Sequence, residues 1–156
     1  MDKKLAAYFS ATGVTKRLAE KIAQATGTDL FEIRPEIPYS DEDLNWKNPL
    51  ARCNREWLGK KNVPVSDQVQ NMQDYGTIYV GFPIWYGCAP NIIGTFLEQY
   101  DLSGKEIVLF ATSGGNGIGK TAEKLKKHLS AGAEIRYARV MSAEISEEAL
   151  RNWAVF

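Results

Sequence analysis

Leu5-Ala6-Ala7-Tyr8-Phe9-Ser10-Ala11-Thr12-Gly13-Val14-Thr15 passes from one kind of order to another within a few residues. Leu5 to Phe9 are all apolar, as in a strand buried on both faces; a strand with one wet face would alternate. Ser10, Ala11, Thr12 and Gly13 are small and break that run. Val14, Leu18, Ile22 and Ala25 then recur at helical spacing, with Lys16, Arg17, Glu20 and Lys21 between them. Gly27 is a good stop for that helix. A buried strand that runs straight into an amphipathic helix opens a βα unit.

The same alternation recurs outward from this stretch. Residues 30–33 read as a second strand, ended by Pro35 and Pro38. Residues 77–82 read as a strand, 83–90 as a loop, and 91–100 as a helix with Ile92, Ile93, Phe96 and Leu97 inward. Residues 106–111 form the next strand and 118–129 the next helix. Residues 134–140 make a fifth strand, and a last helix begins at Ser146, where Glu147 and Glu148 favour a helix start. Five strands alternating with helices predict a parallel sheet covered on both faces, in one domain over residues 1–156. The least regular part, 35–74, reads as a Pro-bounded loop, a helix around 48–58 and a loop to about Val65. Tyr39, Trp46 and Trp57 are too many large aromatics there for a disordered linker.

Three loops follow strands and precede helices, so they share the carboxyl edge of the sheet, where open α/β sheets bind ligands. The first is Ser10-Ala11-Thr12-Gly13-Val14-Thr15. A helix start carries free N–H groups and partial positive charge, three hydroxyls add donors, and Gly13 lets the backbone come close to an anion. No Lys or Arg lies within the loop, and neither the Gly-Lys-Ser/Thr ending nor Gly-x-Gly-x-x-Gly is present. The alternative is an ordinary capped turn. The second loop, Pro83-Ile84-Trp85-Tyr86-Gly87-Cys88-Ala89-Pro90, sets two aromatic rings side by side. A flat ligand would cover their faces; the alternative is that both rings fold into the core. The third, Thr112-Ser113-Gly114-Gly115-Asn116-Gly117-Ile118-Gly119, offers backbone N–H groups with little bulk, or is merely a flexible tip.

The composition narrows the function. With Lys plus Arg and Asp plus Glu at 19 each, the formal net charge is zero, so no basic excess is available for nucleic acid. The lone histidine, His128, follows Lys124, Lys126 and Lys127 and reads as a helix-end residue rather than a base or ligand. Cys53 and Cys88 fit a reducing compartment and match no zinc or redox spacing. No apolar run reaches the ~20 residues needed to span a bilayer. With no signal-peptide pattern at the start, the expected location is cytoplasmic and the expected partners include no membrane.

At this point the chain resembles the flavodoxin family. Ser10-Ala11-Thr12-Gly13-Val14-Thr15 is similar to that family's FMN phosphate loop, Ser/Thr-x-Thr-Gly-x-Thr. Pro83-Ile84-Trp85-Tyr86-Gly87 and Thr112-Ser113-Gly114-Gly115 are similar to its two ring-binding loops. The resemblance implies a three-layer α/β sandwich with a five-stranded parallel sheet of order 2-1-3-4-5. It implies one noncovalent FMN, held by Ser10, Ala11, Thr12, Gly13, Val14 and Thr15 at the phosphate. Around the ring it implies Pro83, Ile84, Trp85, Tyr86, Gly87, Thr112, Ser113, Gly114, Gly115 and Gly119. It further implies a peptide beside the flavin N5 that can turn to accept a hydrogen bond from the reduced ring, with Gly87 the candidate. Two departures stand out. Many flavodoxins are strongly acidic and carry an aromatic ring in the third loop; this chain is neutral and has no Tyr or Trp between Thr112 and Gly119.

The expected function is therefore electron transfer between redox partner proteins by a monomer with no catalytic residues of its own. An FMN-dependent NAD(P)H:quinone-type reductase on the same fold is the alternative; it needs a second pocket over the flavin, which Tyr39, Trp46 and Trp57 could line. A phosphate-switched receiver domain of similar topology would need acidic residues after the first strand, where Ser10 and Thr12 stand instead.

Overall fold

The structure is a computed structural model that describes residues 3–59, 62–113 and 117–153. Five parallel strands form one sheet: β1 (Lys3–Tyr8), β2 (Asp29–Glu32), β3 (Tyr75–Pro83), β4 (Glu106–Thr112) and β5 (Glu134–Val140). Their order is β2-β1-β3-β4-β5, as the resemblance implied. Helices α1 (Val14–Thr26) and α5 (Glu147–Trp153) cover one face. The other is covered by α3 (Asn91–Glu98) and α4 (Thr121–Leu125), with the segment that contains α2 (Arg52–Leu58) beside them.

The continuous apolar run of β1 is explained by these two layers. Leu5, Ala7 and Phe9 join the core under α3, with Ile92, Ile93 and Phe96. Ala6 and Tyr8 join the core under α1, with Leu18 and Ile22. Each fully buried Leu or Ile side chain contributes roughly 1.5–3 kcal/mol of transfer free energy. Gly81 on β3 serves the second core: a Cβ there would come within 2.2 Å of the Phe110 ring, its register partner on β4.

Three expectations need correction. The helix read over 48–58 begins only at Arg52, because the Asn48 side chain accepts the Leu50 amide and Pro49 lies between them, giving a turn. The helix read over 118–129 is shorter, Thr121–Leu125 followed by a 3-10 turn, Lys126–His128. Gly119 is the reason, since its φ of 56° is outside the right-handed helical region. The third helix stops at Glu98 rather than Tyr100. Ser146 does cap α5, its hydroxyl accepting the Ala149 amide at 3.1 Å. Among the described residues, no helix is long and apolar enough to cross a membrane.

Candidate functional site

Sheet register brings the loops together. Tyr8 is opposite Gly81, and Pro83 is opposite Thr112, so β1, β3 and β4 end side by side. The Ile84 amide donates to the Thr112 carbonyl at 2.8 Å, which ties the second loop to the start of the third.

In the first loop, Gly13 caps α1 with φ 96° and its amide donates to the Ser10 hydroxyl at 3.0 Å. Among the described residues, no side chain caps the helix. The amides of Val14, Thr15 and Lys16 have no carbonyl in the preceding turn to bond, so they point out of the helix end. Thr12 is exposed, and among the described residues nothing lies within 4 Å of where a Gly13 Cβ would stand. Amides, hydroxyls and open space at a helix start make a donor set that fits a phosphate dianion. Thr15 is placed differently from Ser10 and Thr12. It is 2% exposed and its hydroxyl is bonded to that of Thr112 at 2.8 Å, so it braces loop one against loop three.

The second loop makes a tight turn. The backbones of Trp85 and Cys88 exchange hydrogen bonds of 2.9 and 3.0 Å across Tyr86 and Gly87. Both central residues are left-handed, Tyr86 at φ 55° and Gly87 at φ 74°, the geometry of a two-residue I′ turn. Sequence reading set a ligand wall against an inward fold for the two aromatics; both rings pack partly inward and both also border a cavity. Trp85 is half-buried and meets Phe9 and Tyr39 edge to face, at centroid distances of 5.6 and 5.5 Å. Tyr86 stacks on Trp57 at 4.7 Å and its hydroxyl donates to Asn54 Oδ1, with Cys53 Sγ at 3.5 Å. Burial, first, and the Cys53 contact push the Tyr86 phenol well above its ordinary range.

Both rings still line a cavity of about 410 Å³ whose other walls are Ala11, Thr12, Leu44, Trp46, Cys53 and Ile84. Of the three aromatics expected over the site, only Trp46 lines this cavity. Tyr39 is spent on Trp85, Glu56 and the Arg52 guanidinium, which lies 4.0 Å from its ring centre. Trp57 backs Tyr86 and borders a separate cavity of about 560 Å³ with Cys88, Lys124 and His128. There Lys124 Nζ lies 3.0 Å from Cys88 Sγ, and the His128 ring pairs with Glu98 over Gly94.

Sequence reading missed Leu44, Cys53 and Asn54. Nothing in the local pattern singles them out, although the aromatic density of 35–74 marked the segment. Of the third loop, Thr112 is buried against Thr15, Ser113 is half-buried, and Gly119 abuts the turn: a Cβ there would come 3.1 Å from the Gly87 carbonyl oxygen. Gly114 and Gly115 lie outside the described residues. A helix start lined by amides and hydroxyls, opening onto a mostly apolar, aromatic-walled cavity, fits a flat ligand with an anionic tail.

Comparison with known proteins agrees with this geometry. The flavodoxin family model matches residues 3–155. A presumed flavoprotein from Bacteroides eggerthii is 41% identical, with TM-score 0.89 over 98% of this chain and 96% of that one. One from Bacteroides uniformis is 35% identical, with TM-score 0.84 over 97% of each chain. A Lactobacillus acidophilus flavoprotein, solved in complex with FMN, shares the fold at 24% identity, TM-score 0.73, over 90% of this chain and 93% of that one. No curated protein matches the chain. With the strand order, the hydroxyl-lined start of α1 and a family match over nearly its whole length, the chain belongs to the flavodoxin family.

Proposed function

We propose that this protein binds one FMN noncovalently and works as an electron carrier between redox partner proteins. The observation that carries the reading is the uncapped start of α1, with Ser10, Thr12 and Gly13 beside it, opening onto the cavity between Trp46 and Trp85. Bound FMN supplies one- or two-electron chemistry, and the chain tunes it by position, dipole and exclusion of water.

In this reading the free amides and the Ser10 and Thr12 hydroxyls hold the phosphate. Trp46, Trp85 and Tyr86, which line the cavity, would hold the ring, with Gly87 in the turn beside it. Thr15 and Thr112 position the first and third loops. The FMN found in the Lactobacillus acidophilus flavoprotein supports the identity of the ligand.

The carrier reading is preferred to the reductase reading because of what lines the cavity. Among the described residues its walls include no carboxylate and no histidine. The Tyr86 hydroxyl is already committed to Asn54 Oδ1. A neutral chain docks its partners without long-range steering by net charge. The protein is proposed to act as a monomer in the cytoplasm, where its two free thiols would stay reduced.

Anaerobic stepwise reduction of the FMN-loaded protein, followed by absorbance, tests the reading. A resolved one-electron stage and no steady NAD(P)H turnover are expected. Rapid turnover with NAD(P)H and a quinone would replace the carrier with the reductase, and failure to bind FMN would end both.

A further inference from the structure

Asn54 is 8% exposed and commits its whole side chain to partners from two different parts of the chain. Its Nδ2 donates to the Trp46 and Asn48 carbonyls at 2.9 and 2.7 Å. Its Oδ1 accepts the Tyr86 hydroxyl. The first two bonds hold the segment that brings Trp46 to the cavity; the third reaches the turn that brings Trp85, Tyr86 and Gly87 to it. These are the two aromatic walls of the same site.

Tyr86 is the more telling partner. It holds φ 55°, and among the described residues it is the one non-glycine with positive φ. Side-chain sterics disfavour that conformation for a non-glycine residue, and glycine would adopt it without strain. A tyrosine persists there because its ring is stacked on Trp57 and its hydroxyl is anchored on Asn54. Satisfying the Trp46 and Asn48 carbonyls alone would not require the tyrosine arm.

We infer that Asn54 and the Tyr86 hydroxyl are positioning residues that lock the Trp85–Cys88 turn to the Trp46 wall, so that the two sides of the flavin cavity are held as one unit. This rests on the FMN reading above. Dipoles fixed on both sides of a ring favour one of its redox states over the other, whereas loosened dipoles adapt to each state and discriminate less. The lock therefore acts on the ratio of affinities for oxidised and reduced FMN, not merely on whether FMN binds.

The test measures that ratio, from the midpoint potentials of bound and free flavin, in the wild type, Tyr86→Phe, Asn54→Ala and the double variant. Tyr86→Phe keeps the ring that stacks on Trp57 and deletes only the hydroxyl. A lost neutral hydrogen bond is worth about 1 kcal/mol, or roughly fivefold. The ratio in Tyr86→Phe is expected to move toward one by up to that factor, and the double variant to move no further than Asn54→Ala. An unchanged ratio in Tyr86→Phe, or effects that add in the double variant, would overturn the lock while leaving FMN binding intact. A wild type that binds no FMN in the same titration would overturn the cofactor reading and the lock with it. If Asn54→Ala does not fold, Tyr86→Phe carries the test alone.

Discussion

Thr12→Val replaces a hydroxyl by a methyl of nearly the same shape at an exposed position with no hydrogen-bond partner among the described residues, next to the start of α1. With no such bond to lose, the FMN-free fold should change by no more than about 0.5 kcal/mol. For a chain of this length that is at most about 2 °C in Tm. Toward FMN the expected effect is much larger. A hydrogen bond to a charged group is worth about 1.5–3 kcal/mol, so Kd should rise roughly 10- to 150-fold. Thr15→Val is the control, because it is the same substitution three residues on. It deletes the buried 2.8 Å bond to Thr112 and strands that hydroxyl, a cost of about 1–3 kcal/mol or roughly 2–12 °C. Calorimetric titration with FMN and melting of the FMN-free protein separate the two. If Thr12→Val binds FMN as the wild type does, or if Thr12→Val rather than Thr15→Val lowers the melting temperature, the division of labour between the two threonines is wrong.

Trp46→Ala should raise the fluorescence of bound flavin at little cost in stability, because Trp46 is 68% exposed yet lines the cavity; unchanged emission would place the quenching ring elsewhere. Gly81→Ala should destabilise the fold by at least about 2 kcal/mol in denaturant titration, since its Cβ meets the buried Phe110 ring at 2.2 Å; a neutral result would mean the ring can move aside. At alkaline pH, Tyr8 supplies a signed effect. Burial first, then Glu32 and Glu20, push its phenol from 10.0 up to about 12, and burial also raises Tyr39 and Tyr86. The folded chain keeps these protons where the unfolded chain has lost them. The stabilisation is therefore complete below pH 10 and is lost as pH rises toward 12. Denaturant midpoints that stay flat across that interval would contradict it.

Local pattern carried most of the architecture. The run Leu5 to Phe9 and the stop at Gly27 reappear in β1 and α1, and Leu18 and Ile22 are buried as their spacing predicts; Val14, read on the same face, is exposed at the helix start, where Thr15 is buried instead. Alternation of strand and helix was enough for a parallel sheet, because both signals are periodic and short-range. Loop composition likewise placed Ser10 to Thr15, Trp85 and Gly87 on one edge, since each loop directly follows a strand.

What only the tertiary structure decided depends on contacts between residues far apart in the chain. Thr12 and Thr15 look equivalent as donors, but packing of α1 against the end of β4 turns one outward and buries the other against Thr112, 97 residues away. Tyr39, Trp46 and Trp57 look equivalent as possible walls. Arg52 and Glu56 claim Tyr39, Tyr86 claims Trp57, and Trp46 is left to face the cavity. Composition supplies the side chains with their hydrogen-bonding and stacking capacity; the register of distant segments determines which of that capacity is used internally and which remains for a ligand.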